Sequence, residues 1–262
     1  MTTSAPRLPP GSPEPENEVR LSFIDHLREL RLRLLHAIYG VVAGMAVVGW
    51  FVPRIVDGLL KPVRAALPEG RQTLVATGAV EPWMVYLKVA VYGGIFLAAP
   101  WVLWQLWLFI APGLYRRERK VVLPFLFFGT LLFYAGAAFC YWFVLPPAFP
   151  ALLSIIEGTS ITPFWTLSDQ LSLVLAMILG FGIVFEVPVI LAFLSLIGVV
   201  SSQFLAKYRR HAIIANVALA AIITPTGDPV NLLLMAVPLI VFYEVGIVLA
   251  RILGKKPATG AA

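Results

Sequence analysis

Long runs without charged residues dominate this 262-residue chain. Each of these runs is close to, or longer than, the roughly 20 residues that a helix needs to cross the hydrocarbon of a bilayer. The chain is therefore predicted to be an all-α membrane protein. We predict six transmembrane helices, near residues 34–52, 84–110, 121–145, 169–194, 210–224 and 230–250.

The last two predicted helices are short. Only about 13 residues lie between Arg210 and Thr224, and at about 1.5 Å each they cover about 20 Å of a hydrocarbon layer that is about 30 Å thick. The uncharged part of the sixth helix ends early as well, at Glu244. We expect flanking residues or local bilayer thinning to compensate, and we favour thinning.

Prolines recur in or beside the predicted spans. Each proline inside a helix removes one backbone hydrogen bond and bends the helix, and the freed carbonyl must find another partner in lipid. Several such bends predict kinked helices that form a concave bundle. The prolines are Pro100, Pro124, Pro146, Pro147, Pro188 and Pro238.

Composition and charge support a membrane protein and give its orientation. Hydrophobic residues make up 60% of the chain and charged residues 13%, which excludes an ordinary soluble domain. Of the 20 Lys and Arg, fifteen fall in the tails and in the second and fourth loops, so both termini are predicted to be cytoplasmic. These short basic clusters explain the net charge of +6 without a nucleic-acid partner.

Three regions follow from this pattern. Residues 1–20 are rich in Pro, Ser and Glu and are predicted to be a disordered tail rather than a signal peptide. Residues 21–250 are predicted to form the six-helix domain, which begins with an amphipathic helix over residues 21–35. Residues 251–262 are predicted to be a cytoplasmic tail.

Five acidic residues are candidate functional groups. Glu29 lies on the polar side of the amphipathic helix, where it could bind a cation or simply be an exposed partner of Arg33. Glu118 is the sole acid in a basic loop, where it could bind an incoming cation or simply pair with the cations around it. Glu186 lies deep in the fourth span, where an ionisable group is costly and should face the bundle interior or a wet cavity. Asp228 could be the N-cap of the last helix, and Glu244 is a weaker candidate near a helix end.

Signatures of enzymes are missing from the sequence. It contains no phosphate-binding G-x-x-x-x-G-K-[ST] loop, no G-x-S-x-G and no H-E-x-x-H. Its histidines are isolated, and we interpret them as surface residues rather than metal ligands. No catalytic residue, metal site or cofactor is predicted. The histidines are His26, His36 and His211.

Several ordered motifs resemble the TatC family, the polytopic core subunit of the twin-arginine protein translocase. The resemblance extends from about Leu21 to Arg251. The segments that carry it are HLRELRLRL at 26–34, APWVLWQLW at 99–107, FIAPGLY at 109–115 with Glu118-Arg119, FG at 181–182 leading to FEVP at 185–188, and Thr224-Pro225.

The resemblance implies a receptor for signal peptides that bear two consecutive arginines. It implies that Glu29 and Glu118 bind those arginines, that Phe109, Pro112 and Arg31 contribute to the same site, and that Glu186 lines the concave face. It places Pro62 in the first extracytoplasmic loop. The family pattern Thr-Pro-Pro-Asp is one residue longer in this chain, so the resemblance does not settle a functional role for Asp228.

The resemblance also implies partners and a location. These are twin-arginine signal peptides of folded cargo, single-span subunits of the TatA and TatB type, further copies of the chain, and the lipid bilayer of the bacterial cytoplasmic membrane. Transport would draw on the proton-motive force. The alternatives are a proton-coupled transporter of a small solute with Glu186 as its relay, and a membrane scaffold without a recognition function.

Overall fold

The structure is a computed structural model that describes residues 23–67, 74–110, 122–154, 165–223 and 229–254. These ranges are almost entirely helical. The α-helices are α1 (Phe23–Gly49), α2 (Val52–Leu59), α3 (Lys61–Ala66), α4 (Glu81–Ile110), α5 (Val122–Phe139), α6 (Leu145–Ser154), α7 (Leu167–Leu196), α8 (Ser202–Lys207), α9 (Arg209–Ile223) and α10 (Pro229–Leu253).

Five helical segments are long and apolar enough to cross a membrane. They are Ile24–Gly49, Glu81–Ile110, Val122–Ser154, Leu167–Leu196 and Leu232–Leu253. The predicted fifth span corresponds to α9, whose 15 residues extend about 22 Å. The predicted fifth span is thus present as a short helix, and its crossing of the membrane stays a prediction.

Two predicted helix boundaries were wrong. The amphipathic segment and the first span form one continuous helix, α1. The third predicted helix does not end near residue 145, because a π-helical turn (Cys140–Val144) joins α5 directly to α6. In this turn the N–H of Leu145 donates to the carbonyl of Cys140, one residue further back than in an α-helix. The wider turn carries the chain into the Pro146-Pro147 pair, so these prolines lie in the first turn of α6.

The proline positions affect the helices differently. Pro100 lies inside α4, and the carbonyl four residues before it, that of Phe96, accepts a hydrogen bond of 2.9 Å from the Tyr134 hydroxyl. A neighbouring helix thereby satisfies the freed carbonyl, as lipid surroundings require. Pro124, by contrast, is the third residue of α5, where an N–H has no acceptor within the helix. The bend predicted at Pro124 is therefore not required.

The bundle has two ends, which we name after residues of α1. The Glu29 end holds the start of α1, and the Trp50 end lies beyond its last residue; along α1 they are about 31 Å apart. At the Trp50 end, Trp50, Trp83 and Trp142 are all exposed. Exposed tryptophans of this kind mark a membrane–water interface.

Glycines allow α1 and α4 to approach closely. A Cβ atom on Gly44 would lie 2.7 Å from the carbonyl oxygen of Gly94, and a Cβ atom on Gly94 would lie 2.7 Å from the backbone nitrogen of Met45. Closer to the Glu29 end, Gly40 makes room for the indole of Trp101, whose Nε1 donates to the carbonyl of His36 at 2.9 Å. Together, the contacts at these glycines determine where the start of α1 lies relative to the end of α4.

Helix α7 forms the centre of the bundle. Most of its residues are buried, and it packs against α5 through Gly136 and Gly182, which lie against the rings of Phe185 and Phe133. Near the Glu29 end, an aromatic cluster joins three helices. It consists of Trp107 of α4, Phe125 of α5 and Phe193 of α7, and the rings of Trp107 and Phe193 meet edge to face at 4.4 Å. The core is therefore tightly packed around α7.

Polar side chains join α4 to the start of α7 at the Trp50 end. The Glu81 carboxylate accepts hydrogen bonds from the Thr77 hydroxyl at 2.6 Å and from the N–H of Ser168 at 2.9 Å. Two turns further along α4, the Lys88 ammonium donates to the hydroxyls of Ser168 and Ser172 at 3.0 and 2.9 Å. These contacts hold α4 and α7 in register.

The last helix is longer than its uncharged part. Helix α10 has 25 residues and continues well past Glu244, so the expectations that this helix is short and that Glu244 lies near its end were wrong. Arg209, the first residue of α9, forms an ion pair of 2.9 Å with Glu244. This ion pair joins the start of α9 to the point where the uncharged part of α10 ends, so that part of α10 is as long as the short α9.

Candidate functional site

Glu29 lies on the face of α1 that turns toward the protein. Its side chain is 20% exposed and that of Arg33 32%, whereas the side chains of Asp25 and Arg28 are 50% and 73% exposed. Leu27, Leu30 and Leu34 occupy the exposed face. In a membrane the apolar stripe of a helix can face lipid while its polar stripe faces the protein. The pair with Arg33 is therefore present but partly buried rather than exposed, and cation binding by Glu29 stays a prediction.

The His26 and Phe109 rings stack beside this acid. Their ring centroids are 4.4 Å apart and their planes are inclined by 17°. His26 is three residues before Glu29 and therefore on the same side of α1, and Phe109 is the second-last residue of α4. The stack fixes the start of α1 against the end of α4 and forms a flat aromatic surface one turn from the carboxylate.

A carboxylate in this position can bind a cation with a planar, hydrogen-bonding headgroup. Glu29 offers acceptor positions on two oxygens, and partial burial strengthens its electrostatic interactions relative to those in open water. The only hydrogen bond that reaches this carboxylate from the described residues comes from Arg33 Nη2, at 3.3 Å from Oε1. Within the described ranges, part of its acceptor capacity is therefore left unused.

The other predicted residues of this site are placed as follows. Phe109 is half-buried beside His26, and Arg31 is exposed on another side of α1. Pro112 and Glu118, together with Asp228, lie outside the described residues. The structure thus brings Glu29 and Phe109 to the same end of the bundle, and the participation of Arg31, Pro112 and Glu118 stays a prediction.

Glu186 lies in the core, away from this site. It is 8% exposed, which agrees with the expected position in the bundle interior. A Cβ atom on Gly129 of α5 would lie 2.9 Å from Glu186 Oε2, so this glycine gives the carboxyl group its space. Its Oε1 atom is buried and has no hydrogen-bond partner among the described residues. Its place on a concave surface stays a prediction.

Pro62 lies at the opposite end of the bundle. It is part of α3 and lines a groove with Lys61, Tyr141 and Trp142, while the Tyr141 hydroxyl donates to the carbonyl of Gly58 at 2.7 Å. Nothing in this geometry connects Pro62 to Glu29. Across the ranges that the structure describes, no group of three His, Cys, Asp or Glu side chains is arranged to hold a metal ion.

Sequence reasoning missed His26 as a member of the site. We expected an isolated surface histidine, because His26 and Glu29, three residues apart, supply only one half of a possible metal pair. The spacing to Glu29 contained the useful signal, since residues three apart share a helix face. The stacking partner, Phe109, is far away in sequence, so local pattern alone did not reveal the contact.

Comparison with known proteins assigns the family. Residues 25–238 match the family model "Sec-independent protein translocase protein (TatC)". The TatC protein of Koribacter versatilis is 42% identical over 90% of this chain and 87% of its own length. That of Desulforapulum autotrophicum is 38% identical over 91% and 87%, and that of Aquifex aeolicus is 34% identical over 88% and 95%.

Solved structures agree with the sequence comparisons. A crystal structure of the twin-arginine translocase receptor TatC superposes with a TM-score of 0.78 and 35% identity, covering 87% of this chain and 99% of that chain. A second crystal structure of the receptor, in the detergent DDM, gives a TM-score of 0.76. These matches confirm the family resemblance and the all-helical fold, and they give no support to a solute transporter.

The family is one of protein translocase components, so a transport function and not an enzymatic one follows. The apolar helices fit a membrane-embedded subunit. The chain belongs to the TatC family of Sec-independent protein translocase proteins, and it is a core subunit of the twin-arginine translocase.

Proposed function

We propose that the Glu29 end of the bundle faces the bacterial cytoplasm and binds the arginine pair of twin-arginine signal peptides. The observation that carries this proposal is the half-buried Glu29 carboxylate one turn from the His26–Phe109 stack. The excess of Lys and Arg at the same end supports the orientation, with both termini in the cytoplasm.

Glu29 would receive a guanidinium through charge-assisted hydrogen bonds. Such bonds are about twice as strong as those between neutral groups. Glu118 would bind the second guanidinium, with Pro112 shaping the loop and Arg31 at the rim. The flat surface of Phe109 suits a guanidinium as well, because this planar group stacks on aromatic faces.

The remaining parts of the proposal concern assembly. Helix α9 presents several exposed apolar side chains, among them Ile214 and Ile222, and single-span subunits of the TatA and TatB type would pack beside α9 and α10. Several copies of the chain would assemble in one complex, and transport would use the proton-motive force. Glu186 would line the concave side that the cargo meets.

We expect a signal peptide with two lysines to bind more weakly than one with two arginines. Lysine keeps the charge but lacks the planar fork of arginine, so hydrogen bonds to Glu29 are lost while the long-range attraction remains. A photoreactive group placed beside Glu29 should therefore crosslink the Arg-Arg peptide in preference to the Lys-Lys peptide. Equal crosslinking of both peptides would show that charge alone is recognised.

We also expect His26→Ala to weaken peptide capture while His26→Phe preserves it. Loss of the stack with Phe109 removes about 0.5–1.5 kcal/mol of contact between α1 and α4, and the start of α1 then moves more freely. Because phenylalanine can also stack on Phe109, it should keep the carboxylate in place. Binding of a fluorescent signal peptide to the purified protein measures this, and a histidine-specific role would appear as a loss in both variants.

A further inference from the structure

The Glu29 carboxylate already holds a guanidinium from its own chain. Arg33, one turn further along α1, donates from Nη2 to Oε1 at 3.3 Å. We propose that Arg33 is an internal ligand of the site, which occupies Glu29 in the absence of a signal peptide and must be displaced by an incoming arginine. This inference rests on the proposed function of Glu29.

The geometry of the pair is that of a replaceable contact. Arginine can bind a carboxylate through two parallel hydrogen bonds, but here only one is formed, and its length of 3.3 Å is beyond the usual range of such bonds. A guanidinium that approaches from the cytoplasm is free of the i, i+4 constraint within α1 and can adopt the two-bond geometry. The ligand can therefore bind Glu29 better than Arg33 does.

Burial explains why an internal ligand is useful. The two side chains are much less exposed than the Asp25–Arg28 pair one turn earlier, which is 3.8 Å apart in solvent. A partly desolvated carboxylate without a counter-ion is unfavourable. Arg33 satisfies Glu29 while the receptor waits, and it weakens the binding of every cation by the same factor. Weak ligands thus fall below a useful affinity while an arginine pair stays above it.

The expected size of the effect follows from helix pairs of this spacing. A Glu–Arg pair at i, i+4 is formed about twice as often as it is broken. Removing a competitor that occupies the acid for about two-thirds of the time should tighten peptide binding about threefold. Because the competitor acts on any ligand, the gain should be equal for Arg-Arg and Lys-Lys peptides.

The experiment measures binding of a fluorescent signal peptide to the full-length protein in nanodiscs. Arg33→Gln should bind the Arg-Arg peptide about threefold more tightly than the unmodified protein. The matched control is Arg28→Gln, which removes the same charge from the same helix but from an exposed residue paired with Asp25. The control should bind as the unmodified protein does.

Each result decides between the possibilities. Unchanged or weaker binding by Arg33→Gln overturns the inference, because Arg33 then holds Glu29 in place or has no role. An equal gain in Arg28→Gln overturns it too, since net charge alone would explain the effect. If Arg33→Gln does not fold, Arg33→Met replaces it, because methionine keeps a long side chain but offers Glu29 neither a charge nor a hydrogen bond: tighter binding than the unmodified protein supports the inference, and equal or weaker binding overturns it.

Failure of the proposed function gives a different result. In that case the unmodified protein binds no signal peptide, or Glu29→Gln binds it as well as the unmodified protein. The response to Arg33→Gln is informative only after Glu29→Gln has reduced binding, so the two failures are distinguished in one series of measurements.

Discussion

Glu29→Gln is expected to abolish the capture of twin-arginine signal peptides. The substitution keeps the size of the side chain but removes the charge that a guanidinium requires, and loss of one partner of a desolvated, hydrogen-bonded charge pair costs about 2 kcal/mol or more. Binding should weaken about 30-fold or more. Photocrosslinking from positions beside Glu29, and peptide titration of the purified protein, measure the loss.

Asp25→Asn is the matched control for this variant. It removes a carboxylate from the same helix, one turn closer to the N-terminus, where the side chain is 50% exposed and its partner Arg28 is 3.8 Å away. Surface pairs of this kind contribute little, so binding should be nearly unchanged. A loss in both variants would point to the overall charge of α1, and a loss in neither would remove Glu29 from the site.

Gly94→Leu is expected to destabilise the protein and to eliminate peptide binding together. A Cβ atom at this position would lie 2.7 Å from the backbone nitrogen of Met45 and 2.5 Å from its Cγ. The backbone atom cannot move aside without moving α1, and overpacking of this kind costs about 1–3 kcal/mol or more. Displacement of α1 also separates His26 from Phe109, so the binding site is lost with the helix contact.

Gly49→Leu provides the comparison for this prediction. Gly49 ends α1, and a Cβ atom there would meet nothing within 4 Å among the described residues. Its thermal unfolding in detergent should resemble that of the unmodified protein, while Gly94→Leu should unfold several degrees lower. Equal unfolding temperatures would show that α1 and α4 can separate without loss of stability.

The spans could be predicted from sequence because charge is nearly excluded from hydrocarbon. Gaps between charged residues therefore located α4, α5 and α7 directly. Helix ends were harder, because the Pro146-Pro147 pair suggested a stop, whereas a π-helical turn carries the helix through to Ser154. That turn depends on shifted backbone hydrogen bonds, which leave no pattern in hydrophobicity.

The candidate site was partly predictable for a similar reason. The family motifs identified Glu29 and Phe109, and helical periodicity placed Glu29 on the polar side of α1, but neither shows which side of α1 faces the protein. In the structure Leu27 and Leu30 are exposed, whereas Glu29 turns inward. Contacts such as Lys88 with Ser168 join residues that are far apart in sequence, and only the packing of α4 on α7 brings them together.

The outward-facing leucines of α1 affect the path that the rest of a long ligand would take away from the binding site. A peptide bound at Glu29, as we propose, would lie at the rim of the bundle beside these leucines, while the densely packed α7 fills the middle of the part of the chain that the structure describes. Any apolar segment of such a peptide would therefore enter the bilayer along the flank of α1. A bulky folded domain attached to it would stay clear of the bundle during docking.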